Sequence, residues 1–122
     1  DLDCWREARK LVRQVYEAIG RNPSWKRDIR LCGQIQAASV SVMSNIAEGF
    51  VRHSDKEFGQ FLFIAMSSAA ETQSHLNVAV DQKYLSQESF DEIYAQAEKT
   101  GKIISGLIKY LRTTTRQTRP TR

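Results

Sequence analysis

Cysteine, proline, glycine and long apolar runs are all scarce in this chain of 122 residues. The two cysteines stand alone without a CxxC spacing, which excludes a disulfide framework and indicates a reduced, cytoplasmic protein. The longest apolar run, FLFIAM, is far too short to cross a bilayer, so we expect no membrane partner. The first residues, DLDCWREARK, lack the basic flank and apolar block of a signal peptide. Two prolines and six glycines leave long stretches uninterrupted, which favours helices.

Apolar residues recur at helical spacing in four segments. The predicted helices cover residues of about 5–19, 26–50, 55–81 and 87–112. Pro23, in the connection RNPS, cannot continue the first helix. Ser54 opens an SDKE capping box for the third helix, and Ser86 can cap the fourth. Because short connections join long helices and no strand pattern competes, the sequence predicts an all-α, antiparallel up-and-down four-helix bundle over residues 1–112. Residues 113–122 form a basic tail without apolar periodicity, which we expect to be disordered.

Two finer expectations concern the first two helices. The apolar stripe of the first helix is predicted to face the core, and its members are Trp5, Ala8, Val12, Val15 and Ile19. Gly49 falls where a C-terminal glycine would be expected to end the second helix.

The third helix carries apolar residues on more than one face. Phe63, Ile64 and Val78 lie away from its core stripe. No helix is central in a four-helix bundle of this size, so apolar residues off the core stripe indicate burial by a partner chain. We therefore expect a homo-oligomer with these three residues in its interface.

Polar residues form a line beside the apolar stripe of the second helix, at steps of four and three residues. If the third helix folds back on the second, Glu71 comes within reach of this line. The predicted polar seam comprises Gln34, Ser41, Asn45, Glu48 and Glu71. One interpretation is structural: the seam fixes the alignment of the two helices, because each unpaired buried polar group would cost about 1–3 kcal/mol. The other interpretation is a ligand site or a catalytic carboxylate site.

Metal and catalytic motifs are weak in this sequence. Glu71 and His75 are spaced by four residues, whereas a di-iron bundle needs Glu-x-x-His on two helices, and the other histidine, His53, lies in a predicted loop. We therefore expect no metal and no cofactor. Nothing places a nucleophile beside a base, so no catalytic residue is assigned.

Charge is distributed unevenly along the chain, although the total is only +4. Residues 6–30 carry eight Lys/Arg against three Asp/Glu, residues 48–98 carry three against nine, and residues 99–122 carry seven against none. The candidates for contact with the phosphates of RNA or DNA are Arg6, Arg9, Lys10, Arg13, Lys102, Lys109, Arg112 and Arg116. The alternatives are a solvated basic face and pairing of the basic ends with the acidic middle between subunits.

One long stretch resembles a known family. It reads LCGQIQAASVSVMSNIAEGFVRHSDKEFGQFLFIAMSSAAETQSHLNVAVDQKYL and is similar to the 23S rRNA intervening-sequence proteins. The family pattern has a Gln-Ile pair, then Ser-Ile-Pro-Ser-Asn-Ile-Ala-Glu-Gly. It continues with Ser-x-Lys-Glu-Phe, an apolar run, a Ser and a Glu, and a closing Gly-Tyr-Ile. The matching residues are Gln34, Ile35, Ser41, Ser44, Asn45, Ile46, Ala47, Glu48, Gly49, Ser54, Lys56, Glu57, Phe58, Ser68, Glu71 and Tyr84. With Leu2 and Trp5 at the start, the resemblance covers residues 2 to about 110.

The resemblance implies an assembly more than an activity. Members look like antiparallel four-helix bundles that associate as ring-like homopentamers with a central channel. A distantly similar protein is the accessory factor of diversity-generating retroelements, which binds nucleic acid and a reverse transcriptase. Two departures stand out: Met43 stands where the family has proline, and Gln36-Ala37 stands where it has Arg-Arg. Loss of the arginine pair weakens a nucleic-acid surface on the second helix, for which the two basic ends of the chain can compensate.

The sequence therefore predicts a non-enzymatic protein that assembles with itself, with five chains favoured by the resemblance. RNA or DNA is the expected ligand of its basic faces, and a reverse transcriptase is a candidate protein partner. The alternative is an oligomeric scaffold or protein-interaction module that has no nucleic-acid partner.

Overall fold

The computed structural model of the protein describes residues 2–114, and it contains helices, turns and loops but no strand within that range. The five helices are α1 (Asp3–Gly20), α2 (Pro23–Arg27), α3 (Ile29–Phe50), α4 (Asp55–Asp81) and α5 (Gln87–Thr113). The prediction of an all-helical fold is confirmed, but the predicted number of four helices is wrong. Most of the predicted tail, including Arg116, lies outside the described residues.

The predicted second helix is divided in two at Asp28. Its first part, α2, begins at Pro23 because the side-chain oxygen of Asn22 caps it, accepting a hydrogen bond from the Trp25 amide at 3.1 Å. Pro23 occupies the first turn, where its missing N–H is no loss. Asp28 leaves helical geometry, with φ −83° and ψ 77°, and its carboxylate caps α3 by accepting from the Leu31 amide at 3.1 Å. The proline therefore starts a helix instead of forming a connection.

The turn between α4 and α5 holds this break in place. The Tyr84 hydroxyl donates a hydrogen bond of 2.9 Å to the Asp28 carboxylate. The Tyr84 ring stacks on the fully buried indole of Trp25, with ring centroids 6.2 Å apart, and the Asn22 side-chain amide donates to the Tyr84 carbonyl oxygen. The hydrogen bond to Asp28, together with burial, raises the pKa of Tyr84. One residue of the α4–α5 turn thus fixes the ends of both α2 and α3.

The two predicted serine caps are confirmed. The Ser54 hydroxyl accepts from the Glu57 amide at 3.1 Å, and the Ser86 hydroxyl accepts from the Ser89 amide at 3.1 Å. Between α4 and α5, Lys83 adopts φ 63°. This left-handed conformation costs a residue with a Cβ atom roughly 1–2 kcal/mol, so the turn has a backbone position that glycine would fill at lower cost.

The four long helices share one core. α1 lies against α3 and α5, and α4 lies against the same two helices. The largest fully buried side chains include Leu11, Val15, Ile35, Ile46, Leu62, Leu76 and Ile104. In α1 the buried face is centred on Leu11, whereas Trp5 and Val12 are only half-buried. The observed buried face of α1 is therefore rotated by part of a turn from the predicted stripe, and Trp5 reaches the surface.

Candidate functional site

Two residues of the predicted polar seam, Ser41 and Asn45, are hydrogen-bonded to each other, and Ser41 also meets a serine of the neighbouring helix. The hydroxyl oxygens of Ser41 on α3 and Ser68 on α4 lie 2.9 Å apart. The side-chain amide of Asn45 donates to both the carbonyl oxygen and the hydroxyl of Ser41, each at 2.9 Å. Ser68 is buried, and Ser41 and Asn45 are half-buried. Their hydrogen bonds join α3 to α4 at one level of the core.

The other three seam residues point outward. Gln34, Glu48 and Glu71 are exposed. Glu48 pairs with Arg52, just beyond the end of α3, at 2.5 Å, and Glu71 pairs with His75, one turn further along α4, at 3.4 Å. These carboxylates do not converge on one point. Within residues 2–114, no group of three His, Cys, Asp or Glu side chains is arranged to hold a metal ion.

Gly49 is the point of closest approach between α3 and α4. A Cβ atom at this position would lie 2.8 Å from the Phe61 Cβ atom and 2.9 Å from the Phe58 Cδ1 atom. The helix continues to Phe50, and no glycine within residues 2–114 has a positive φ. The expectation of a C-terminal glycine was therefore wrong. Gly49 is needed for its lack of a side chain, which lets the two helices touch.

The predicted interface residues of α4 lie on its outer surface. Phe63 is 57 % exposed, Ile64 47 % and Val78 45 %. Phe63 and Ile64 line a groove of about 710 Å³ that also involves Ile108 and Leu111 of α5. Val78 lies on the same face of α4 about four turns further along. The structure thus brings two of the three together in an apolar groove and leaves the third apart from them.

A second uncharged surface runs along the outer face of α3 and was not identified from the sequence. Its residues are all exposed and follow one another at steps of four and three: Gly33, Ala37, Val40, Ser44, Ala47 and Val51. No charged side chain interrupts this line. The spacing of these residues in the sequence could have identified this surface, because a strict repeat of 3.5 residues is typical of a helix face that contacts another helix.

The basic candidates lie on two neighbouring helices. Those on α1 (Arg6, Arg9, Lys10 and Arg13) and those on α5 (Lys102, Lys109 and Arg112) are all exposed. Gln96 of α5 donates its side-chain amide to the Glu7 carbonyl oxygen at 3.0 Å and to the Glu7 carboxylate at 2.8 Å. The ammonium group of Lys99 lies 3.5 Å from the same carboxylate. The first half of α1 therefore lies beside the middle of α5, whereas Lys109 and Arg112 lie about two to four turns further along α5, where Arg112 lines the groove against α4. We call the exposed basic residues of these two neighbouring helices the basic face.

Ion pairs cover part of the positive charge of the basic face. They join Arg6 to Asp3 at 2.6 Å, Lys99 to Glu7 at 3.5 Å and Lys102 to Glu98 at 3.5 Å. Arg9, Arg13 and Lys109, in contrast, make no ion pair with a carboxylate of residues 2–114. These three side chains can meet a phosphate without first breaking an ion pair.

Sequence reasoning missed two features of the basic face. Lys99 belongs to it through its contact with Glu7. Two aromatic side chains of α1 also reach its surface: the half-buried Trp5, whose ring lies 5.9 Å from the Arg9 guanidinium carbon, and Tyr16. A helical wheel of α1 would have placed Tyr16 outward, whereas the position of Trp5 depends on packing.

No helix within residues 2–114 has both the length and the apolar character needed to cross a membrane.

Comparisons with known proteins agree with this fold. The family model described as 23S rRNA-intervening sequence protein matches residues 1–106. A crystal structure of a protein of unknown function from the S23 ribosomal protein family of Bacteroides thetaiotaomicron superposes with a TM-score of 0.78 at 20 % identity, covering 87 % of this chain and 98 % of that chain. At this identity the likeness concerns the fold alone. No curated protein matches the sequence. Because the family match spans most of its length, the chain belongs to the family of 23S rRNA-intervening sequence proteins.

Proposed function

We propose that this protein is a self-assembling, antiparallel up-and-down helix bundle that binds RNA or DNA through its basic face. The observation that carries the proposal is the placement of two basic tracts, distant in sequence, on neighbouring helices joined by Glu7, Gln96 and Lys99. Phosphate binding requires charge density and no reading of base sequence, so the face fits a ligand with a regular anionic backbone.

The contacts between α3 and α4 support the antiparallel order. Near the end of α3, Gly49 approaches Phe61 in the second turn of α4. Further back along α3, Ser41 meets Ser68, which lies further forward along α4. Earlier residues of α3 therefore contact later residues of α4. This is the pattern expected of neighbouring helices in an up-and-down bundle.

Assembly into a ring requires two different surfaces on each chain, because each subunit must contact both neighbours head to tail. The groove at Phe63 and Ile64 on α4 supplies one candidate. The uncharged outer face of α3, centred on Val40, supplies a second. A ring of five chains is the count favoured by the family resemblance. In such a ring the basic face is repeated, so weak contacts to one nucleic-acid chain add through effective concentration.

The proposal includes no enzymatic activity. Its support is that the exposed carboxylates of Glu48 and Glu71 each pair with a residue four positions further along the chain, so they do not form a common acid–base centre. A reverse transcriptase stays a candidate protein partner, by likeness to the retroelement accessory factor. Cys4 and Cys32 are unpaired, which fits the proposed reduced, cytoplasmic location.

A scaffold without a nucleic-acid ligand is the second candidate. Three carboxylates of the protein already occupy part of the basic face, and they lower the charge offered to a phosphate backbone. If the acidic residues of a neighbouring copy cover the rest, the face is a subunit contact.

Titration of labelled RNA and duplex DNA at about 50 and 200 mM salt separates the two candidates. A protein that contacts several phosphates loses at least about tenfold in affinity over that range, because fewer counterions are released at higher salt. Absence of binding at the lower salt with micromolar protein would support the scaffold and contradict the proposed function.

A further inference from the structure

On the outer surface of α1, two aromatic side chains lie at the ends of a line that has two arginines between them. Trp5, Arg9, Arg13 and Tyr16 follow one another at steps of four, four and three residues, which places them on one face of the helix. The two arginines are exposed, Tyr16 is 47 % exposed and Trp5 is half-buried. The faces of large aromatic rings carry no charge to attract a phosphate, so aromatic side chains at the surface of a basic helix need a separate explanation.

Trp5 and Arg9 form a cation–π pair at the end of this line nearest the N-terminus. The Arg9 guanidinium carbon lies 5.9 Å from the centre of the Trp5 ring, within the range of a cation–π contact. The pair brings a positive charge close to the face of an aromatic ring. Tyr16 forms a second aromatic surface at the other end, and Arg13 lies between the two. Planar groups of these kinds bind nucleic-acid bases by stacking on their faces.

Only an unpaired strand can use such surfaces. In a duplex each base face is covered by the next base pair, and only the base edges and the phosphates reach the surface. In a single strand the base faces are available, and stacking adds to phosphate contact without selecting a sequence. From Trp5 to Tyr16 the helix rises about 16 Å, the length of about five nucleotides of a stacked strand.

We infer that the outer face of α1 binds single-stranded nucleic acid, with bases stacked on Tyr16 and on the Trp5–Arg9 pair and phosphates on Arg13. This inference rests on the proposed nucleic-acid binding and names the form of nucleic acid that the basic face takes. Charge favours this partner: Arg9 and Arg13 have no carboxylate partner within residues 2–114, and a protein partner would need acidic groups to meet them.

The test uses the full-length protein and a fluorescein-labelled RNA of about 15 nucleotides without secondary structure. Its affinity is compared by fluorescence anisotropy with that of the duplex formed with its complement. Tyr16→Leu removes the ring and keeps an apolar side chain, whereas Tyr16→Phe keeps the ring and is the matched control. Quenching of Trp5 fluorescence on binding provides a second readout, because the other tryptophan, Trp25, is fully buried.

We expect the single strand to bind more tightly than the duplex. Tyr16→Leu should weaken single-strand binding by at least about fivefold, the loss typical of one stacked base. Tyr16→Phe should bind like the parent, and duplex binding should not respond to either change. Salt-sensitive binding of both RNAs with equal affinity and no effect of Tyr16→Leu overturns the stacking inference but leaves the proposed function standing. No binding of either RNA, or of single-stranded and duplex DNA of the same sequence, overturns both the inference and the proposed function.

Discussion

The side-chain amide of Gln96 on α5 donates two hydrogen bonds to Glu7 of α1. One goes to the backbone carbonyl oxygen at 3.0 Å and the other to the carboxylate at 2.8 Å. Lys99 approaches the same carboxylate at 3.5 Å. The hydrogen bond from Gln96, helped by the nearby positive charge of Lys99, lowers the pKa of Glu7 below its ordinary value of 4.5. Since this contact joins the two halves of the basic face, its loss should be measurable as a loss of stability.

The stability of the fold should depend on the ionisation of Glu7. Because its pKa is lower in the folded chain than in the unfolded chain, the ionised carboxylate stabilises the fold above the ordinary carboxyl pKa, and the contribution is lost as pH falls through the lowered value. Glu7→Gln should therefore be less stable than the parent near neutral pH, with the difference vanishing in acid. Denaturant melts across this pH range measure it, with Glu17→Gln on the same helix as the control. A difference that does not change with pH would contradict the account.

Gly49→Ala should destabilise the protein. The added Cβ atom would lie 2.8 Å from the Phe61 Cβ atom, so the helices must separate, at a cost of about 1–3 kcal/mol. Gly33→Ala on the same helix is the matched control: nothing lies within 4 Å of its Cβ position, and the higher helix propensity of alanine should give a gain of up to about 1 kcal/mol. Chemical denaturation of both variants measures the difference. Equal effects of the two changes would show that Gly49 is not a contact point.

Lys83→Gly should stabilise the protein. Lys83 holds φ 63°, and the family pattern Gly-Tyr-Ile has glycine at this place before the tyrosine. Relief of the left-handed strain should raise the free energy of unfolding by about 1 kcal/mol. Gln82→Gly, at φ −81° in the same turn, should instead lower it by roughly 0.5–1 kcal/mol. Thermal melts of both variants and the parent measure these changes. A loss of stability in Lys83→Gly would contradict the claim that the left-handed conformation of Lys83 is strained.

Local patterns predicted the parts of the fold that depend on neighbouring residues. The Ser54 and Ser86 caps are examples, because a cap involves only the next three residues. The break at Asp28 was missed although Asn22-Pro23 is itself a helix-start signal, since proline was taken as an end. What fixes the break is Tyr84, a residue distant in sequence whose contact no local pattern contains.

The candidate site was predictable in composition but not in arrangement. The arginines of α1 were evident from charge, whereas their position beside Lys99 depends on how α1 packs on α5. The polar line on α3 also looked continuous in sequence. In the structure Ser41 of this line forms a hydrogen bond to α4, and Asn45 supports it from within α3, whereas Gln34 and Glu48 are exposed.

Charged substitutions on α3 and α4 should prevent assembly. Phe63→Glu places a charge in the apolar groove of α4, and Ala37→Glu places one on the outer face of α3. If these surfaces are the two sides of a ring contact, each change alone should lower the mass measured by light scattering toward the 14.0 kDa of one chain. Ser105→Glu, on the exposed surface of α5, is the control and should not alter the mass. A parent protein that is already a stable monomer would contradict the assembly.

The salt dependence of nucleic-acid affinity tests the central claim most directly, because its slope counts phosphate contacts. Arg13, exposed and without a carboxylate partner within residues 2–114, is changed to glutamine, and Arg27→Gln on α2 is the charge-matched control away from the basic face. The account predicts that Arg13→Gln weakens binding and reduces the slope of log affinity against log salt by at least about 0.7, whereas Arg27→Gln leaves the slope of the parent. Equal slopes for the parent and both variants would contradict the claim that the basic face binds nucleic acid.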